Sequence, residues 1–294
     1  MSVNQGHQKQ LDTDNVSMKK QIWFLSWELI ATSSLLALSW IAPTSAQQRV
    51  DLHNVKADVR FHSPSRIGGW SGRIQSTGQY LLSGEWLRTG GSSRADLYLR
   101  PRGTGYWQGS NTNSQFAPTP TAICQFRLAK GNIIYFHNSR SPVPGCRTRT
   151  PPALIRALGT ALFVIQDDKG TTVGALTNSP EGPVTVTGLR SGETGETVEL
   201  RAGELASVSI DGEVRLLGEF SLRDFYRNNR LALGLGRGAE HEDFVNRQPD
   251  DIREVIIPVR EETLEALREQ EEERPLDGGL LTPPNLEFPL PFPQ

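Results

Sequence analysis

From Gly84 to Leu217 the apolar residues of this chain recur largely at every second position, the period of a strand with one buried face. In "RADLYL" Ala95, Leu97 and Leu99 fall on one side, and in "CQFRL" Cys124, Phe126 and Leu128 do the same. "ALFVIQ" loses the alternation. A strand apolar on both sides must be covered on both, so Ala161 to Ile165 is predicted to run through the centre of the core. The runs that follow are cut at Asp167–Gly170, Ser179–Gly182, Gly188–Gly195, Arg201–Glu204 and Asp211–Gly212, where glycine closes reversals that Asp or Pro prepares. The Asp-Gly of "IDGEV", set between β-rich runs, is the strongest hairpin signal. The pattern predicts an all-β domain, an antiparallel sandwich, a barrel or a β-helix, with no βαβ unit.

Helical signals appear only after these strands. Ser221 with Asp224 three residues on resembles a capping box, which predicts a short helix over Leu222 to Asn228 that buries Leu222, Phe225 and Tyr226 against the sheet. "REETLEALREQEEER", Arg260 to Arg274, reads as a solvated acidic helix with a narrow seam of Leu264 and Leu267. The final "LTPPNLEFPLPFPQ" is too rich in proline to pack, and Phe288, Leu290 and Phe292 would be spaced apolar groups on an extended tail.

The N-terminus changes the setting. Lys19 and Lys20 precede an apolar run from Ile22 to Ile41, and Thr44, Ser45 and Ala46 then stand before Gln47. These are the parts of an export signal, with cleavage expected between Ala46 and Gln47. The run is also long enough to serve as an uncleaved anchor. Glu28, whose carboxylate would sit in the span, favours cleavage. Either way the remainder is expected outside the cytoplasm, periplasmic or extracellular, or anchored to the inner membrane and facing out. Cys124 and Cys146 are the whole cysteine supply, and in an exported chain the pair reads as a disulfide clamping an irregular excursion. A metal site is disfavoured because no CxxC spacing is present.

Thirty-one Lys and Arg against 33 Asp and Glu leave no whole-chain field to hold nucleic acid. The sequence contains no GxSxG, HExxH or P-loop. His53, His62, His137 and His241 are the histidines beyond the export signal, few candidates for a triad. Glu240, His241, Glu242 and Asp243 offer donors for a cation, but sequence neighbours point in different directions, and the segment reads as a solvated acidic run. "GLGRG", with Gly234, Gly236 and Gly238, reads as a flexible linker rather than a phosphate loop, and Asp167 and Asp168 as turn formers. Arg66, Trp70, Arg73 and Tyr80, with Tyr106 and Trp107, could line a carbohydrate surface, or could pack the core and its edges.

Three stretches carry a resemblance: "GEWLRTGGSSRADLYL" (Gly84–Leu99), "TPPALIRALGTALFV" (Thr150–Val164) and "VELRAGELASV" (Val198–Val208). Their order resembles that of FecR-like domains, through Arg88, Thr89, Ser93, Arg94, Ala95 and Leu97, then Gly159 and Thr160, then Leu200, Gly203, Ala206 and Val208. The closing "FYRNNRLALGLG" resembles the end of stand-alone versions exported by cyanobacteria. The resemblance covers about half the chain and implies an all-β extracytoplasmic module that receives or transmits a signal by protein contact. In iron-citrate signalling the family member is an anti-sigma regulator that spans the inner membrane. That regulator has a substantial cytoplasmic segment where this chain has a short polar stub before Ile22.

The resulting organisation is an export signal or anchor at 1–46, an approach segment at 47–83, a β domain at 84–235, a linker at 236–259, an acidic helix at 260–274 and a proline-rich tail at 275–294. The expected function is non-enzymatic binding of another cell-envelope component, an envelope protein or a glycan. The alternatives are a membrane-anchored signalling regulator and a secreted carbohydrate-binding protein or hydrolase. No cofactor, metal or nucleic acid is expected, and membrane contact only through an uncleaved N-terminal segment.

Overall fold

A computed structural model describes residues 49–63, 69–70, 74, 78–119, 124–141, 144–190, 193–273 and 280–284. The export signal, its Ala46–Gln47 junction, Arg66, Arg73 and the tail residues Phe288, Leu290 and Phe292 lie outside the described residues.

The strands are β1 (Arg49–Lys56), β2 (Val59–His62), β3 (Tyr80–Leu82), β4 (Trp86–Thr89), β5 (Arg94–Leu99), β6 (Thr104–Gln108), β7 (Asn113–Phe116), β8 (Gln125–His137), β9 (Arg147–Arg149), β10 (Ala153–Arg156), β11 (Ala161–Asp167), β12 (Gly170–Ala175), β13 (Val184–Arg190), β14 (Glu193–Leu200), β15 (Glu204–Ser209) and β16 (Val214–Glu219). Three α-helices follow: α1 (Leu222–Asn228), α2 (Ala239–Asn246) and α3 (Asp250–Glu273). One layer runs β3-β1-β5-β6-β8-β11-β12-β15-β16, antiparallel throughout. The other runs β2-β4-β7-β8-β9-β10-β13-β14, antiparallel except for the parallel pair β8–β9. The fold is an all-β sandwich with a helical layer added to one sheet.

Strand β8 belongs to both layers. Its first half pairs with β7 and β9, its second with β6 and β11. The change of sheet falls at Gly131, whose φ of +102° is open to glycine, and where a Cβ would lie 2.2 Å from Thr112 Oγ1. After β8 the chain doubles back so that β9 starts beside Cys124, with Arg147 N–H donating to the Cys124 carbonyl at 3.0 Å. The Cys124–Cys146 disulfide closes this excursion, with Cα atoms 4.6 Å apart and both residues buried. Cys146 N–H also donates to Tyr135 Oη at 2.7 Å, which ties the bridge to the core. A buried disulfide marks an oxidising, extracytoplasmic compartment.

Two apolar clusters lie on opposite faces of the antiparallel sheet. Between the layers sit Ala95, Leu97 and Leu99, together with Cys124, Phe126 and Leu128, as the alternation predicts. The outer face packs under the helices. Strand β11 serves both, Leu162 and Val164 toward the sandwich and Ala161 and Phe163 toward the helices, as its unbroken apolar run predicts. Helix α1 has the predicted bounds, Ser221 Oγ accepts from Asp224 N–H at 3.1 Å, and Leu222, Phe225 and Tyr226 are buried. Asp167 Oδ1 accepts from Lys169 and Gly170 N–H, the turn role its sequence suggests, and Asp211–Gly212 closes the β15–β16 hairpin.

Two boundaries differ from the sequence reading. Residues 47–83 hold β1, β2 and β3, which are members of the two sheets rather than an approach to them. Residues 236–259 are largely helical, not a linker, and α3 starts at Asp250 rather than Arg260. Pro258, a residue unfavourable in a helix interior, lies inside α3. The helix carries on because Ile252, Val255, Ile256, Val259, Thr263, Ala266 and Leu267 form one buried stripe, and burial of that stripe outweighs one lost backbone bond. Leu264 is only half-buried, so the seam runs through Thr263 and Ala266 instead.

Candidate functional site

The residues that carry the family resemblance have mostly architectural places. Thr89 Oγ1 donates to the Gly109 carbonyl and accepts from Thr112 N–H, and Ser93 Oγ accepts from Asp58 N–H at 3.0 Å. Both hold the turn between β4 and β5 against its neighbours. Ala95, Leu97, Leu200, Ala206 and Val208 fill the sandwich, Thr160 is buried at the start of β11, and Gly159 and Gly203 sit at turns with positive φ. Arg88 is exposed on β4, opposite Arg60.

Arg94 is different. On β5 it is 8% exposed, on the face opposite Ala95 and Leu97, with Asp96 two residues on and 0% exposed. Arg94 Nε donates to Asp96 Oδ1 at 2.6 Å and Nη1 to the Arg230 carbonyl at 3.1 Å. Its guanidinium lies 4.7 Å from the ring centre of Trp107 and 5.1 Å from that of Phe244. Nη2 is buried and has no hydrogen-bond partner among the described residues. Leaving such a donor unsatisfied costs about 1–3 kcal/mol or more for a charged group.

Asp96 is held from the other side by Asn54 Nδ2, at 3.1 Å, and the same amide donates to Gln248 Oε1 at 2.9 Å. Asn54 reaches both because β1 bulges between His53 and Lys56, with Asn54 at φ +45°, a left-handed conformation that Asn tolerates. Burial raises the Asp96 carboxyl above its ordinary value, and the charge and hydrogen bond of Arg94 pull it back only in part. Burial likewise pushes Tyr98, which accepts from Trp107 Nε1–H at 2.9 Å, well above its ordinary value.

Above this pair opens a cleft of about 600 Å³ between β1, β5 and the segment from α1 to α2. Val55, Leu233 and Phe244 give it apolar wall, and Arg94 and Asp96 are among its deepest lining. Its lining also contains Lys56, Arg227, Arg230 and Glu240, so four cationic side chains face two carboxylates. Arg227 pairs with Asp224 at 3.5 Å, whereas Lys56 and Arg230 make no ion pair among the described residues.

The glycine segment and the acidic segment prove to be one device. His241 Nδ1 accepts from Gly234 N–H and Gly236 N–H, both at 3.0 Å, so its proton sits on Nε2. Burial lowers its pKa and keeps the ring neutral. "GLGRG" is therefore neither linker nor phosphate loop but the clasp that fixes α2 to the end of the β domain. The solvated acidic run is helical, with His241 and Val245 buried. Among the described residues no group of three His, Cys, Asp or Glu side chains converges as a metal site requires.

The aromatic surface considered for carbohydrate does not assemble. Tyr106 stacks on Phe126 at 4.0 Å inside the sandwich, and Trp107 lies buried beneath the helices. Trp70 is half-buried against His62, ring centres 5.7 Å apart, and only Tyr80, 51% exposed, is open. Sequence reasoning missed Asn54, Asp96, Phe244 and Gln248. The signal for Asp96 was present, since Arg94, Asp96 and Tyr98 share the face opposite the core residues, but alternation alone assigns that face to water.

No protein-family model and no curated protein matches the sequence. Among solved structures, two crystal structures of a candidate anti-sigma factor from Parabacteroides distasonis are similar in part, with TM-scores of 0.36 and identities of 18% and 17%. The matches cover 46% and 48% of this chain and 59% and 63% of those chains, so this chain spans about three fifths of that protein's resolved length.

Proposed function

We propose that this chain is a non-enzymatic, FecR-like extracytoplasmic module that binds another cell-envelope component by protein contact, in signalling or envelope organisation. The observation that carries the reading is where the three resembling stretches go. Gly84–Leu99 builds β4 and β5, Thr150–Val164 builds β10 and most of β11, and Val198–Val208 builds the end of β14 and most of β15. These strands are spread through both sheets, and their apolar motif residues Ala95, Leu97, Leu200, Ala206 and Val208 meet in one sandwich core. The buried disulfide supports the compartment. Described helices include none long and apolar enough to cross a membrane, and the Ile22–Ile41 segment lies outside the described residues.

The test is cross-linking in intact envelopes with a tag after Gln294, followed by mass spectrometry of co-purified proteins and of the bait's own N-terminus. One reproducible envelope protein with a bait that starts at Gln47 is the expected result. A bait that retains residues 1–46 would favour the anchored regulator, and no protein partner in either form would sink the contact reading.

A further inference from the structure

We propose that the cleft over Arg94 binds a ligand that presents a carboxylate to Nη2 of Arg94 and an apolar group to Val55, Leu233 and Phe244. The inference goes beyond the protein-contact reading and does not depend on it. Three observations converge. A guanidinium nitrogen, on a side chain more than nine-tenths buried, has no partner among the described residues. That side chain lines a cavity of about 600 Å³, large enough for a small organic acid or a peptide end. The cavity carries a surplus of positive charge, with Lys56 and Arg230 free of ion pairs among the described residues.

The ligand chemistry follows from the geometry. Asp96 occupies Nε and the Arg230 carbonyl occupies Nη1, so one edge of the guanidinium is left to donate. The Trp107 and Phe244 rings, set at 72° to one another, hold the guanidinium in place between them, which prepares it for a planar acceptor. Asp96 is already paired with Arg94 and hydrogen-bonded by Asn54, and Glu240 is outnumbered on the rim by Lys56, Arg227 and Arg230. His241 is neutral and engaged with the glycine amides, so it adds no charge.

Trp107 supplies a local reporter, because its indole lies directly under the guanidinium. The experiment follows the indole Nε1–H resonance of Trp107 in the full ¹⁵N-labelled chain during titration with 3-phenylpropionate, its amide, inorganic phosphate, and acetyl-glycyl-phenylalanine with a free or amidated C-terminus. The expected result is a saturable shift with the free acids, absent with the amides and with phosphate, and an affinity about tenfold weaker in Leu233→Trp. Leu233→Trp fills the cleft mouth and leaves the Arg94–Asp96 pair untouched, so it separates binding from folding. Lys56→Ser should weaken the acids several-fold with no change in the unliganded spectrum. Tighter binding of the peptide acid assigns the site to a chain terminus, and tighter binding of 3-phenylpropionate assigns it to a small organic acid. No saturable Trp107 shift with either acid, an equal shift with amide or phosphate, or unchanged affinity in Leu233→Trp would overturn the proposal.

Discussion

The two faces of the antiparallel sheet are built from the same strands and end in different chemistry. On β5, β6, β8 and β11, Leu97, Tyr106, Ile133 and Leu162 point into the sandwich, while Tyr98, Trp107, Ile134 and Phe163 point under the helices. The sandwich face is closed by a second sheet and a disulfide, and the polar groups buried there, such as Gln108 with Ser114 and Thr150 with Thr171, are uncharged and hydrogen-bonded to one another. The helical face is rich in aromatics, and at its β1–β5 end it keeps a buried ion pair and an open cleft. A sheet packed on a sheet meets it along its whole length, whereas helices meet a sheet along stripes and leave gaps at their ends. Function is accordingly sought on the helical side.

The largest test of that division is Phe163→Ala. Phe163 is 0% exposed and stacks on Phe225 at 4.9 Å, so the truncation should cost about 4 kcal/mol. Native-state hydrogen exchange should show protection lost first in α1 and α3, with the β10–β13–β14 ladder spared. Loss in both layers together would mean that the two faces unfold as one unit.

The counterpart on the other face is Cys124→Ser with Cys146→Ser. Opening a loop with a sequence separation of 22 should cost about 3 kcal/mol in denaturant melts, with exchange rising at β8 and β9 before the helices. A smaller change is expected for Ser221→Ala. This removes the cap on α1, about 1 kcal/mol, and should leave the sandwich amides unchanged.

The smallest effect is pH-dependent and belongs to the helical face alone. The pKa of His241 is lowered from 6.5 in the folded chain, so the unfolded chain takes up the proton first as pH falls. The stabilisation is complete above 6.5 and is lost progressively below it, toward the lower folded value. Thermal melts from about pH 8 to pH 5 should show His241→Gln with a flatter profile than the parent chain. An identical slope in the two would remove His241 from the account of how α2 is held.

Much of the sandwich was legible in the sequence because period-2 alternation and turn chemistry are local. The Asp211–Gly212 hairpin, the doubly covered β11 and the bounds of α1 all follow from residues within a few positions of one another. The start of α3 was hidden because Pro258 is a local stop signal, overridden by contacts with distant strands. The strands before Gly84 were hidden because β1 is bulged and β2 and β3 are short, and they are held by pairing, β1 with β5, β2 with β4 and β3 with β1.

The sequence by itself determined the fold class, which faces of the β domain are apolar, the short closing helix and the candidate cysteine pair, since each rests on residue type and spacing. Only the tertiary structure decided that Arg94 and Asp96 are buried rather than solvated, that Asn54 and Gln248 join them, and that Trp107 lies beneath a guanidinium instead of on a surface. The reason is physical: alternation tells which side of a strand faces the sandwich, but what covers the other side depends on helices more than a hundred residues away.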